Sequence, residues 1–241
     1  MSRLGTQRQF VQYHQKVLSY DPIAYWPLDE KQGTVAYDWV SGRVAGAQNG
    51  AYTGVTLGQP GIGDGRTSPL FDGANDYVNV YSTTFRDAFN GAEGTLMAWA
   101  KVSGVGVWTD TVLRYISAIY IDASNYVLVR KATVANKLEW IYVAGGINET
   151  VSKTPISETG WMCLGLTWSK TADKMIVYYN GVQEGVTQTG LGVWAGNPAA
   201  AYTCIGSLNT TPLYTWNGYE AHVAVFGSAL PPAAMLDLAT V

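Results

Sequence analysis

The chain has 241 residues, of which 14% are charged, with a formal net charge of -3 and generous Gly, Tyr and Trp. That length suits one large all-β domain, and the low charge argues against long solvated helices. No Lys/Arg cluster offers the footprint of a nucleic-acid binder, no apolar run approaches the ~18 residues of a membrane span, and the N-terminus lacks a signal-peptide core, so nucleic-acid partners, membrane insertion and export are not expected.

Residues 1–20 read as a helical arm set apart from residues 21–241. Phe10, Tyr13, Val17 and Tyr20 fall on one helical face, and Arg3, Arg8 and Lys16 have no acid near them in sequence. The arm is too short for a self-sufficient coiled coil. Two readings stay open: those four residues dock on a partner, or the helix packs on its own domain.

From Asp21 onward, strand signals recur at short spacing: IAYWPL, DYVNVY, TLMAWAKV, TVLRYISAIYI, YVLVR, LEWIYVAG, WMCLGLTW, KMIVYY, GVQEGV, YTCIGSL and YEAHVAVF. In WMCLGLTW, Met162, Leu164, Leu166 and Trp168 form one apolar face. Asn180-Gly181 joins KMIVYY to GVQEGV and supplies the two positive-φ positions of a tight hairpin turn. LGQPGIGDGRTSP and WAGNPAAAY are loops by composition, and LPPAAMLDLA reads as a short closing helix with proline in its first turn. The expected fold is all-β, an antiparallel two-sheet sandwich with a short helix at each end.

The stretch LFDGANDYVNVY poses a metal question. Asp72, Asn75 and Asp76 place hard oxygens in one loop before a strand, a set that could hold calcium. Asp72-Gly73 also makes a tight turn without any ion, and that reading is preferred; no cofactor is expected. Other chemistry is sparse. The adjacent acids Asp29 and Glu30 would point to opposite faces of a strand and read as a solvated strand end. His14 and His222 sit in no zinc or nucleophile-base spacing, and His222 reads as a hydrogen-bonded wall residue. GIGDGR lacks the spacing of a nucleotide loop. Cys163 and Cys204 read as free thiols that could pair only if their strands are neighbours. Trp108, Trp194, Tyr214 and Trp216 lie in loop-like sequence, where aromatic rings either stack on a ligand or fold back into the core.

The order of motifs resembles laminin-G-like, concanavalin A-like lectin/glucanase jelly rolls. IAYWPL stands where that family has its opening Tyr-Trp-x-Leu strand, LFDGANDYV matches its Phe-Asp-Gly-x-x-Asp-Tyr-Val strand, GTLMAWAKV its Trp-bearing strand, and MIVYYNG its Asn-Gly hairpin. The resemblance spans residues 22–241 and implies a jelly-roll sandwich. Calcium-holding members place an acid where this chain has Ala221, and the glycosidase members carry a Glu-x-Asp-x-Glu run that is missing here, so no enzyme activity is expected. YHQKVL followed by DPIAYWPL resembles the start of similar domains in bacteriophage structural proteins. That likeness implies a virion location and a capsid-decoration or tail-associated role, with other virion proteins, a second copy of the chain and glycans as partners. A carbohydrate-binding module of a cellular adhesin or glycan-processing system is the alternative.

Overall fold

The computed structural model describes residues 12–40 and 48–241. Two antiparallel sheets face each other. Sheet A runs β14 (Val182–Gln188), β13 (Lys174–Tyr179), β12 (Met162–Ser169), β7 (Glu93–Val102), β16 (Asn217–Phe226), β5 (Thr67–Asp72) and β4 (Thr56–Pro60), with β1 (Pro22–Trp26) also paired to β16. Sheet B runs β11 (Ile147–Lys153), β10 (Leu138–Ala144), β9 (Asn125–Lys131), β8 (Arg114–Asp122), β15 (Thr203–Ile205), β6 (Tyr77–Asn79), β3 (Gly50–Thr53) and β2 (Val35–Ala36). Four short helices complete the described residues: α1 (Tyr13–Leu18), α2 (Thr83–Ala88), α3 (Gly106–Thr109) and α4 (Pro232–Leu238). The expected jelly-roll sandwich with a helix near each end is the fold observed. The helices α2 and α3 were not foreseen, because each is one turn or two and leaves no periodic apolar stripe.

Alternation decides which residues meet. In β12, Met162, Leu164, Leu166 and Trp168 enter the core between the sheets, together with Leu96, Trp140, Tyr142 and Val177, while Cys163 points to the outer side of sheet A. Asn180 and Gly181 turn the β13–β14 hairpin with φ of 49° and 78°, as their types predict. Cys163 and Cys204 are both free and buried, on different sheets.

The outer side of sheet A is covered by α1 and α4. Tyr13 and Val17 are buried there against Met97, Trp99, Ala221 and Met235. The Trp99 indole donates to the Tyr13 hydroxyl at 2.7 Å, which donates in turn to the Leu238 carbonyl at 2.5 Å. Tyr20 donates to the Asp237 carboxylate at 2.9 Å, and Lys16 pairs with Asp237 at 3.5 Å. Of the helix face offered for partner docking, Tyr13, Val17 and Tyr20 are therefore spent on the protein's own domain; Phe10 lies outside the described residues. The stripe exists because sheet A has an apolar outer side that needs a lid.

Strand β16 changes neighbours midway. Its N-terminal residues pair with β5, and its C-terminal residues pair with β1. The switch falls at a bulge between Ala221 and Ala224, where His222 takes φ of 51° and its amide donates to Pro27 O.

Candidate functional site

The outer side of sheet B carries an aromatic and charged face that no helix covers among the described residues. Residues directly opposed across an antiparallel ladder share a face, so register defines it. One row is Tyr115, Arg130 and Glu139; the next is Ala118, Leu128 and Ile141; the third is Tyr120, Tyr126 and Val143. The middle row is apolar and buried, with Leu113 and Leu208 packed against it. Tyr126 and Arg130 are four residues apart on β9, so the flanking rows lie about 13 Å from one another, longer than a single sugar ring.

The tyrosines stand in stacked groups. Tyr120 stacks on Tyr126 with centroids 5.2 Å apart, and Tyr202, from the loop before β15, leans on Tyr120 at 5.5 Å. Tyr214 stacks on Tyr115 at 5.6 Å, while the Arg130 guanidinium covers the Tyr115 ring at 5.9 Å and donates to its hydroxyl at 3.3 Å. Burial raises the Tyr120 and Tyr126 hydroxyls, for Tyr126 against the pull of the Arg130 charge, so these phenols are neutral donors and acceptors at neutral pH. Arg130 reaches Glu139 at 2.9 Å and Lys137 reaches the other carboxylate oxygen at 2.7 Å. Burial pushes the Glu139 carboxyl up, but Lys137 and Arg130 outweigh it and hold it below the usual range. The face thus offers ring surface and phenol hydroxyls, with an ionised, doubly bridged carboxylate buried beneath its cations.

The loop aromatics named from sequence divide sharply. Trp108 and Trp216 are fully buried and pack edge to face at 6.4 Å, and the Trp108 indole donates to Glu158 O. Neither ring can meet a ligand, because both loops fold back on the core. Trp194 is half-buried against Phe89 and Tyr142, packed on the main core cluster and not on the tyrosine rows' own cluster. Tyr214 alone joins the face, 40% exposed and held at φ of 60°. Tyr115, Tyr120, Tyr126 and Arg130 went unnoticed in the sequence. The signal was there: NYVLVRK alternates Tyr126, Leu128 and Arg130 onto one side, but only the register with β8 and β10 shows what they join.

The calcium candidates serve the turn. Asp72 Oδ1 accepts from the Ala74 amide at 2.7 Å, and Asp76 Oδ2 accepts from the Asp72 amide at 2.8 Å. Among the described residues, no group of three or more His, Cys, Asp or Glu is placed to hold a metal ion.

A second polar centre lies beneath α1. The Tyr25 hydroxyl meets His222 Nδ1 at 2.6 Å, and His222 Nε2 faces Asp64 Oδ2 at 3.1 Å, which gives both groups a partner when the ring proton sits on Nε2. Arg66 pairs with Asp29 and Asp64, donates to His14 Nδ1 at 2.8 Å and stacks on Trp39 at 4.5 Å. His222 is the hydrogen-bonded wall residue expected. Asp29 and Glu30 are not the solvated strand end expected: Asp29 binds Arg66, and Glu30 is buried, accepting from Tyr52 at 2.6 Å and the Tyr37 amide at 3.0 Å. A cavity of about 360 Å³ opens beside this centre, lined in part by Asp29, Lys31, Asp64, Arg66 and Thr67. Among the described residues its wall has no aromatic ring, and Arg66 is already matched to both aspartates. The tyrosine face is therefore the better candidate for a ligand.

The comparisons agree with the architecture. Domain 4 of AbnA, an extracellular arabinanase of Geobacillus stearothermophilus solved with arabinotriose, superposes with a TM-score of 0.64 at 14% identity, over 91% of this chain and 98% of that one. The botulinum neurotoxin serotype D binding domain matches with a TM-score of 0.66 at 14% identity, over 90% of this chain and 50% of that one. A Trypanosoma rangeli sialidase matches at 0.60 and 10% identity, over 90% and 32%. At these identities the likeness is one of fold. A search of curated protein sequences found no match. The family model Laminin_G_3, concanavalin A-like lectin/glucanases superfamily, matches residues 40–234, and with that match covering most of the domain the chain belongs to this superfamily.

Proposed function

We propose that this protein is a non-enzymatic glycan-binding module whose ligand lies on the outer side of sheet B. The observation that carries the reading is the partly exposed Tyr120–Tyr126 stack and, across a buried apolar row, the exposed Tyr214 ring stacked on Tyr115, on a face without a helix among the described residues. Sugar rings present apolar C–H faces and many hydroxyls, which suits tyrosine rings and neutral phenols held on rigid strands. Glu139 is held ionised by two cations, which suits positioning and not general-acid chemistry. The arabinotriose complex of the similar arabinanase domain lends general support to a sugar ligand.

The finer reading is a virion protein of a bacteriophage, a capsid-decoration or tail-associated module that displays this jelly roll. It rests on the resemblance of YHQKVL and DPIAYWPL to phage structural proteins, and co-sedimentation with phage particles lacking the protein would test it.

For the glycan reading the test is calorimetric titration against a panel of soluble polysaccharides, with Tyr120→Ala and Tyr126→Ala. Each variant should weaken binding roughly tenfold, about 1.4 kcal/mol, without a matching loss of thermal stability. A panel with no binder, or binders indifferent to both variants, would overturn the assignment.

A further inference from the structure

We propose that the glycan held on sheet B is acidic, a chain bearing carboxylate or sulfate groups that meet Arg130 and Lys137; this rests on the glycan reading above. Two cations share a single carboxylate, so the cluster of Arg130, Lys137 and Glu139 carries one net positive charge. Depth decides where that charge is felt. The Glu139 side chain is only 9% exposed, whereas Arg130 and Lys137 are 27% and 28% exposed, so the anion lies beneath and the cations face outward.

The arrangement holds the cations in place. Arg130 is fixed by Glu139 through Nε and by the Tyr115 hydroxyl through Nη1, and Tyr115 is itself pinned by Tyr214. A guanidinium so oriented presents its remaining N–H groups in a fixed fork, the geometry that pairs with a carboxylate or sulfate. Lys137 adds a compact charge beside it. The chain as a whole carries -3, so the attraction is local to this face and should weaken with salt.

The experiment titrates the full chain with an oligogalacturonate, its neutral methyl ester, and a sulfated oligosaccharide, in low and high salt. The expected result is at least tenfold tighter binding of one acidic probe than of the ester, a preference that shrinks in high salt and in Arg130→Gln or Lys137→Gln. Lys137→Gln guards against a folding defect, since Lys137 meets the cluster through Glu139, whereas Arg130 also braces the Tyr115 hydroxyl. Carboxylate and sulfate arms separate the two sources of negative charge. If the ester or another neutral polysaccharide binds as tightly as both acids, or if the preference survives both variants, the acidic assignment is wrong while the glycan reading stands. If no glycan of any kind binds, both fall.

Discussion

His14 and His222 are the chain's two histidines, far apart in sequence, and both touch the centre around Arg66 and Asp64. His14 Nδ1 must be an acceptor, because Arg66 can only donate. Burial first, then the Arg66 charge, lowers the His14 pKa; burial likewise lowers that of His222, against the pull of Asp64. A lowered histidine binds fewer protons folded than unfolded, so its contribution is whole above the ordinary value near 6.5 and is lost as pH falls through it. His14→Gln keeps an oxygen for Arg66 but cannot titrate. Its stability relative to wild type should improve as pH falls from 7.5 to 5, by less than about 1.4 kcal/mol per pH unit; a gap independent of pH would remove the argument.

Glu220 has the opposite sign. It faces the core opposite Ala100, fully buried with no hydrogen-bond partner on either oxygen among the described residues, and burial raises its carboxyl well above the usual range. The unfolded chain ionises above pH 4.5 while the fold stays protonated, so the penalty grows with pH. Glu220→Gln should therefore gain thermal stability over wild type progressively from pH 5 to 8. Parallel melting curves across that range would mean that the carboxylate has a partner in solution.

At the scale of elements, α1 is part of the domain. Fully burying a large apolar side chain is worth about 1.5–3 kcal/mol, and α1 buries Tyr13 and Val17 while covering Met97 and Trp99. A chain starting at Asp21 should melt at least about 10 °C lower and bind a hydrophobic dye. An unchanged midpoint would show the helix to be dispensable. The β13–β14 hairpin is equally demanding. A Cβ on Gly181 would lie 2.8 Å from Leu236 Cα and 2.9 Å from Ala239 Cβ, in addition to its φ of 78°. Gly181→Val should cost roughly 1–3 kcal/mol from the backbone alone, and more from displacing α4.

The whole molecule separates stability from binding. Sheet A spends its outer side on α1 and α4, whereas on the outer side of sheet B Tyr120 and Tyr126 stay partly exposed. Changes at distant, unshared sites are close to additive. Tyr126→Ala should therefore act on affinity and Glu220→Gln on stability, and the double variant should show both effects unaltered. A strong coupling between them would show that the two sheets do not act independently.

Local chemistry is legible in the sequence by itself. Alternation in WMCLGLTW, the Asn180-Gly181 turn and the family motifs led to the strands, the hairpin and the jelly roll, because each depends on residues close together in the chain. The covering role of α1 and the buried fate of Trp108 and Trp216 depend on what lies across from them, which no local pattern encodes. The same holds for the candidate site. Tyr115, Tyr120, Tyr126 and Tyr202 come from three separate stretches, and Arg130 and Glu139 sit on neighbouring strands. Strand register and the stacking of rings across it brought them together, and only the tertiary structure decides register.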